Sequence, residues 1–243
     1  MLNQESDQKD IILSPNIVLI NASHRQNGNT SLAIKSASEG VLQKKGIVNL
    51  INLVDENINR CEACSHCKKL CIFDDAMTKI GQMIIDSDGL IVATPVYFGG
   101  ITSLLKTFIE RTRIYRHNNF SFANKVFGAI SIAGRRNGGQ ETAIVELYIA
   151  FIRHGMIIVN NGQGTSQYGG TVWAGSFGEA YFDHWGLLTC QNVGARVTEI
   201  ASLIKAGKFV LNYNPEYYFS EKEGTVKEMK EVMTKAELHN KCS

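Results

Sequence analysis

Short apolar runs alternate with amphipathic stretches along most of this chain. In the stretch that begins at residue 101, apolar residues recur at helical spacing, at Ile101, Leu104, Leu105, Phe108 and Ile109. Five runs rich in β-branched and other apolar residues predict buried strands, at residues 16–21, 47–53, 89–94, 125–133 and 156–159. Strands that alternate with helices at this spacing predict right-handed crossovers. The predicted fold class is therefore α/β, a doubly wound five-stranded parallel sheet with helices on both faces.

The pattern breaks in the middle of the second half and weakens at both ends. Residues 160–182 contain six glycines and several aromatic residues, and we interpret this segment as a long loop near the ligand. A last core helix is predicted to end before Gly207, with its apolar face at Val193, Val197, Ile200 and Ile204. Beyond it the chain is charged, with one exposed helix predicted between Glu221 and Leu238. We divide the chain into an N-terminal tail (1–14), one domain (15–206) and a C-terminal extension (207–243).

Composition and charge narrow the classes of protein to consider. The chain has 243 residues, with Lys plus Arg 25 against Asp plus Glu 23. That near-balance argues against a nucleic-acid partner, which requires a clustered cationic excess. No apolar run is long enough to span a bilayer, and the first ten residues lack the basic and apolar regions of a secretory signal. We expect a soluble, cytoplasmic protein with no membrane partner.

A polar loop follows the first predicted strand and opens a helix. In a parallel sheet, ligands bind outside the carboxyl ends of the strands, where this loop lies. Backbone N–H groups and the positive end of the helix dipole suit a phosphate there. Arg25 adds charge, and further hydrogen bonds are available from Ser23, Asn29, Thr30 and Ser31. An ordinary N-cap at Asn29 or Thr30 is the alternative. The loop has neither the dinucleotide nor the P-loop glycine pattern.

Two more loops fall at the same edge of the predicted sheet. Residues 94–100 place a proline and two aromatics at a strand end, where Tyr97 or Phe98 could lie against a planar ring or belong to the core. Residues 133–141 are rich in glycine, which lets the backbone approach a ligand closely. The three loops together predict one ligand site.

Four of the six cysteines fall within eleven positions, at Cys61, Cys64, Cys67 and Cys71. So dense a run in a cytosolic chain more often serves metal or redox chemistry than a structural disulfide. The C-x2-C-x2-C-x3-C spacing suits the thiolates of a [4Fe–4S] cluster. Structural zinc usually takes two separated pairs and fits less well. Bare thiols or a reversible disulfide complete the alternatives, which the spacing leaves open.

Several of these motifs resemble one family. Residues 23–31, 94–106 and 138–141 resemble the NADPH-dependent FMN reductase group of flavodoxin-like proteins, and the cysteine run followed by residues 74–77 is similar to its iron–sulfur flavoprotein branch. The resemblance covers residues 15–206 and implies a homodimer or homotetramer. It implies an FMN phosphate held by Ser23, Arg25, Asn27, Asn29, Thr30 and Ser31. It also implies an isoalloxazine ring between Pro95, Val96, Tyr97, Phe98 and Gly99 on one side and Ala133, Gly134, Gly138 and Gly139 on the other.

The function that follows is an FMN-dependent oxidoreductase that passes hydride or electrons to a small-molecule or redox partner. NAD(P)H is a candidate co-substrate, and the cysteine run is a candidate [4Fe–4S] site. No catalytic side chain is expected, because a flavin carries the chemistry itself. Two alternatives are a non-enzymatic flavodoxin-type electron carrier, against which the near-neutral charge counts, and a zinc-stabilised binding module.

Overall fold

The computed structural model describes residues 14–68 and 71–213. The helix predicted between Glu221 and Leu238 and nearly all of the predicted N-terminal tail lie outside these residues. The strands are β1 (Asn16–Asn21), β2 (Ile47–Asn52), β3 (Gly89–Pro95), β4 (Val126–Ala133), β5 (Ile157–Ile158) and β6 (Gly170–Trp173). The helices are α1 (Asn29–Gln43), α2 (Ala76–Ile85), α3 (Ser103–Arg111), α4 (Arg113–His117), α5 (Gln140–Ile152) and α6 (His184–Val210). Short 3₁₀ turns occupy Leu53–Asp55, His66–Lys68 and Glu179–Phe182.

The strands form one parallel sheet in the order β2-β1-β3-β4-β5, which is the flavodoxin-like order. The α/β doubly wound fold class is therefore confirmed. The prediction of five strands missed β6, which pairs with the carboxyl half of β4 while β5 pairs with its amino half. The edge position of the sheet is thus split between two short strands. The sequence pattern does not predict β6, because its four residues begin with a glycine directly after Gly169 and are too few to show a periodic pattern.

Alternate side chains of the central strands pack into two separate cores, because successive side chains of a strand point to opposite faces of the sheet. Ile17 and Leu19 face a layer formed by α1 and α6. Val18 and Ile20 face the opposite layer, to which α2, α3 and α5 contribute. The sheet is therefore covered by helices on both faces. Ligands can approach it at the edge where the parallel strands end.

Helix α6 closes the first of these layers and is longer than predicted. It begins at the N-cap Asp183, whose side chain accepts a hydrogen bond from the Gly186 N–H at 3.0 Å. It continues through Gly207 to Val210, whereas the sequence predicts an end before Gly207. That glycine has open space around it, so it interrupts neither packing nor hydrogen bonding. Among the described helices, none combines the length and apolar character needed to cross a membrane.

Candidate functional site

A pocket of about 300 Å³ lies where β1, β3 and β4 end. It brings together eight residues that the sequence predicts for the flavin, namely Ser23, Arg25, Asn29, Thr30, Pro95, Val96, Tyr97 and Gly134. Gly28, Ile132 and residues 174–177 complete its lining. Residues from all three predicted loops therefore meet at one edge of the sheet.

The first of these loops presents the start of α1 to the pocket. Gly28 is the N-cap, so the alternative N-cap at Asn29 or Thr30 is wrong, and no side chain caps this helix. The first turn of α1 also contains no acidic residue. The backbone N–H groups of the first turn therefore lack a side-chain acceptor and suit an anion such as a phosphate.

Side chains of the first loop hold its own backbone in place. The Ser23 Oγ accepts a hydrogen bond from the Arg25 N–H at 3.0 Å. The Ser31 hydroxyl donates to the Gln26 carbonyl at 2.6 Å and accepts from the Asn21 side chain. Ser31 thus shapes the loop from behind, which explains why it does not line the pocket although it is predicted to bind phosphate.

The second and third loops touch each other through glycines. Gly139 has a φ of +102°, and a Cβ at this position would lie 2.9 Å from the Gly99 Cα and 3.2 Å from a methyl group of Val96. Only glycine fits such a backbone conformation and so close a contact. Because Gly139 and Gly99 are used to join the two loops, they lie beside the pocket rather than in its lining.

The aromatic residues of the second loop belong to the surface and not to the core. Tyr97 is 43% exposed and Phe98 fully exposed, so the core alternative for these two residues is wrong. The Tyr97 ring lies 5.7 Å from the His24 ring, which belongs to the first loop. Tyr97 is thus an exposed residue of the pocket lining, whereas Phe98 does not line the pocket.

Three further predicted flavin residues do not line the pocket, namely Asn27, Ala133 and Gly138. Ala133 is buried in the sheet, where its carbonyl accepts the N–H of Ala174. The Gly138 N–H is occupied by the Gln140 side chain at 2.8 Å. The structure therefore places Ala133 and Gly138 in the frame that supports the loops, whereas Asn27 is an exposed residue of the first loop.

A fourth loop, Ala174–Phe177, lines the pocket and was not predicted residue by residue. Asn29 fixes it, because its amide donates to the Ser176 carbonyl at 2.9 Å and its Oδ1 accepts from the Ala180 N–H at 3.2 Å. The Arg25 guanidinium lies 5.8 Å from the Phe177 ring. The signal in the sequence was the glycine- and aromatic-rich composition of residues 160–182, which located a ligand loop without identifying its residues.

The four clustered cysteines line a second, smaller pocket that shares no lining residue with the first. All four are free thiols of intermediate burial. Burial raises the pKa of the Cys67 thiol, the other three cysteines raise it further, and Arg113 opposes them. In the part of the chain that the structure describes, no three Cys, His, Asp or Glu side chains stand in a ready-made metal site. Four thiols around one pocket nevertheless fit a [4Fe–4S] cluster in kind and number.

A buried ion pair between Arg111 and Asp75 lies against this cysteine pocket. Both side chains are almost fully buried, and Arg111 makes a two-pronged contact to Asp75 at 2.7 and 3.0 Å. Burial alone would raise the pKa of Asp75. Hydrogen bonds from Arg111, Asn59 and the Met77 N–H outweigh that effect and lower the pKa to about 2.

This ion pair makes the free energy of unfolding depend on pH at low pH. A carboxyl whose pKa is lowered by folding stabilises the protein fully above its unfolded value, here 3.8, and loses that contribution as the pH falls towards 2. We expect the free energy of unfolding, measured by urea titration, to fall between pH 4 and pH 2. In the Asp75→Asn variant this fall should be smaller than in the wild type, and an equal fall in both proteins would contradict the assignment.

Helix α3 connects the two pockets. At its N-terminus the Thr102 hydroxyl donates to the Ala22 carbonyl, at the start of the first loop, and accepts from the Leu105 N–H. At its C-terminus stands Arg111. A helix of nine residues is about 14 Å long. One rigid helix therefore fixes the distance between the edge of the first pocket and the cysteine pocket.

Comparison with known proteins identifies the family of this chain. Residues 15–170 match the model of the NADPH-dependent FMN reductase family. An iron–sulfur flavoprotein of Methanocaldococcus jannaschii is 36% identical over 78% of this chain and 98% of that protein. An iron–sulfur flavoprotein of Methanosarcina thermophila is 31% identical over 78% of this chain and 96% of its own length. The flavodoxin-like, WrbA-like protein of Agrobacterium tumefaciens shares the fold with a TM-score of 0.55 at 19% identity, over 78% of this chain and 99% of that one. The chain therefore belongs to the NADPH-dependent FMN reductase family, on its iron–sulfur flavoprotein branch.

Proposed function

We propose that the protein is an FMN-dependent oxidoreductase that moves electrons between a donor and a small-molecule or protein acceptor. The observation that carries this proposal is the pocket at the sheet edge, where α1 begins without a side-chain cap. When bound there, FMN would supply the hydride and electron chemistry. The chain's own residues would bind and orient it.

The lining residues fit the two ends of FMN. The first-turn N–H groups of α1, together with the Ser23 and Thr30 hydroxyls, would hold the phosphate. The Pro95–Tyr97 backbone and Gly134 would flank the ring, since Gly134 presents no side chain there. A Cβ on Gly134 would lie 3.1 Å from the Gly175 carbonyl, so this position is already close to the fourth loop. These contacts position the ring without contributing a catalytic side chain.

We also propose that the cysteine pocket holds a [4Fe–4S] cluster that exchanges electrons with the flavin. Support comes from the four thiols around one pocket and from the relatives whose names state an iron–sulfur flavoprotein. The cluster would carry single electrons, whereas the flavin handles one or two. NAD(P)H is the proposed electron donor at the open mouth of the flavin pocket, near Tyr97.

A homo-oligomer belongs to the same proposal. Three apolar side chains on one face of α5, Val145, Ile149 and Ile152, are 42%, 61% and 60% exposed. Such a stripe is typical of a surface that a partner chain covers. The partner proposed here is a second copy of the protein, and light scattering measures its mass.

The flavin pocket predicts a preference for FMN over riboflavin. Protein freed of cofactor should bind FMN at least about 100-fold more tightly than riboflavin, because each charge-assisted hydrogen bond to the phosphate contributes about 1.5–3 kcal/mol. Quenching of flavin fluorescence measures both affinities. Equal affinities, or no binding of either flavin, would refute the proposed site.

Two serine variants localise that preference. Ser23→Ala should weaken FMN binding about tenfold, as expected for the loss of one hydrogen-bonding hydroxyl in the loop, and should leave riboflavin binding nearly unchanged. Ser38→Ala is the matched control, because Ser38 lies on α1 outside the pocket and its hydroxyl donates to the Ile34 carbonyl. It should bind both flavins like the wild type.

A further inference from the structure

Arg111 contacts the cysteine loop directly, in addition to its ion pair. Its Nη2 donates to the Cys71 Sγ at 3.3 Å, while Nη1 donates to the Asn59 carbonyl at 2.6 Å and to Asp75 at 2.7 Å. The Phe73 ring lies 5.0 Å from the guanidinium carbon. One side chain therefore contacts a cysteine sulfur and the two segments that flank the loop, at Asn59 and at residues 73–75.

The position of the guanidinium is fixed by the fold and not by the cysteine loop. Arg111 is the last residue of α3 and its side chain is 3% exposed. Asp75, which orients it from the other side, is at the same time the N-cap of α2 and accepts the Met77 N–H at 3.1 Å. Two helices thus aim one N–H of Arg111 at the sulfur of Cys71.

We infer that Arg111 is a positioning residue that orients the Cys71 sulfur for the cluster and raises the cluster's reduction potential. This inference rests on the proposed cluster. One-electron reduction adds a negative charge to the cluster, and that charge spreads onto the thiolate sulfurs. A buried cation and an N–H donor at one of these sulfurs stabilise the reduced state more than the oxidised state, and hydrogen bonds to the sulfurs are a recognised determinant of such potentials.

The ion pair with Asp75 reduces the effect of Arg111 on the reduction potential of the cluster. The carboxylate neutralises most of the guanidinium charge at long range, while the N–H donor remains directed at Cys71. Removing the donor and removing the counter-charge should therefore shift the potential in opposite directions. A residue that merely kept the loop folded would not produce that pair of results.

The test is a redox titration of the cluster, followed by electron paramagnetic resonance, on the full chain purified without oxygen. Arg111→Gln should lower the potential so that the equilibrium between reduced and oxidised cluster shifts about tenfold towards the oxidised form, which corresponds to about 59 mV for one electron. Arg111→Lys keeps the charge and should shift the equilibrium less. Asp75→Asn should raise the potential.

Arg113→Gln is the matched control. Arg113 is exposed, acts on Cys67 through its charge, and donates to His117 rather than to a sulfur. Its loss should shift the equilibrium much less than the loss of Arg111. An unchanged potential in Arg111→Gln, or an equal shift in Arg113→Gln, overturns the inference while the cluster itself stands.

A second variant covers the case in which Arg111→Gln fails to fold because Asp75 is left buried and unpaired. Arg111→Met combined with Asp75→Asn removes both charges and keeps a capping side chain on α2. Since the local net charge is unchanged, any remaining fall in potential reports the lost N–H···S hydrogen bond. An unchanged potential in a folded, cluster-containing double variant overturns the inference. A wild-type protein without iron and sulfide overturns both the inference and the proposed cluster.

Discussion

Replacing Gly194 by valine should destabilise the protein by at least about 3 kcal/mol, a large part of the stability of an ordinary domain. A Cβ at Gly194 would lie 1.9 Å from the Ala37 carbonyl oxygen of α1. The reciprocal contact exists at Gly40, where a Cβ would lie 1.9 Å from the Gln191 carbonyl oxygen of α6. Helices α1 and α6 therefore cross with their backbones in contact, and neither backbone can yield without moving the helix. Urea unfolding at pH 7 measures the loss.

The matched control for this variant lies in the same helix. Gly207 has no neighbouring atom near its hypothetical Cβ, so Gly207→Ala should stabilise the protein by about 0.5–1 kcal/mol through helix propensity alone. If Gly194→Val unfolded at the same urea concentration as the wild type, the close crossing of the two helices would be wrong. A destabilised Gly207→Ala would show that α6 does not continue past that residue.

This crossing also explains what hydrophobic patterns can and cannot predict. The strands and most helices were predicted because each buries an apolar run or stripe, and such runs are visible residue by residue. Gly40 and Gly194 carry no such signal, since a glycine in a helix looks unfavourable until its partner helix is known. Contacts between backbones distant in sequence arise only when the chain is folded.

The same reasoning applies to the flavin pocket. Ser23, Asn29, Thr30 and Tyr97 were identified because the ends of parallel strands must meet at one edge. The fourth loop escaped this reasoning because β6 is too short to be recognised as a strand. Without β6, nothing in the sequence shows that residues 174–177 return to the same edge. The two hydrogen bonds of Asn29 that hold this loop join residues 147 and 151 positions apart.

The cysteine pocket could be predicted from the sequence only in part. The spacing of the four cysteines predicted a redox or metal site, yet the residue that links it to the fold, Arg111, has no local signal. Arg111 is the last residue of the amphipathic helix α3, and its partner Asp75 is the N-cap of α2. Only the folded structure shows that both side chains meet beneath Cys71.

Replacing Cys64 and Cys67 together by serine should remove the iron and acid-labile sulfide and leave the FMN in place. These two residues are chosen because Cys71 also bonds to Arg111 and Cys61 also lines a larger groove beside α3 and α5. Serine cannot replace a thiolate as a cluster ligand, so two of the four sulfurs are lost. The flavin should remain, because the two pockets share no lining residue. Iron, sulfide and flavin are measured per chain in the same anaerobically purified sample.

The remaining described cysteine supplies the control. Cys190 is fully buried in α6, and burial raises the pKa of its thiol to about 12, so it stays protonated and apart from the other four. Cys190→Ala should therefore keep wild-type iron, sulfide and flavin while losing about 1 kcal/mol of stability through the small cavity that it creates.

Unchanged iron in the double serine variant would mean that the metal binds elsewhere. Stoichiometric zinc without sulfide in the wild type would mean that the cysteines hold a structural zinc ion and not a cluster. A double variant that lost iron and FMN together would show that the two sites depend on each other, against the separation that α3 imposes between them.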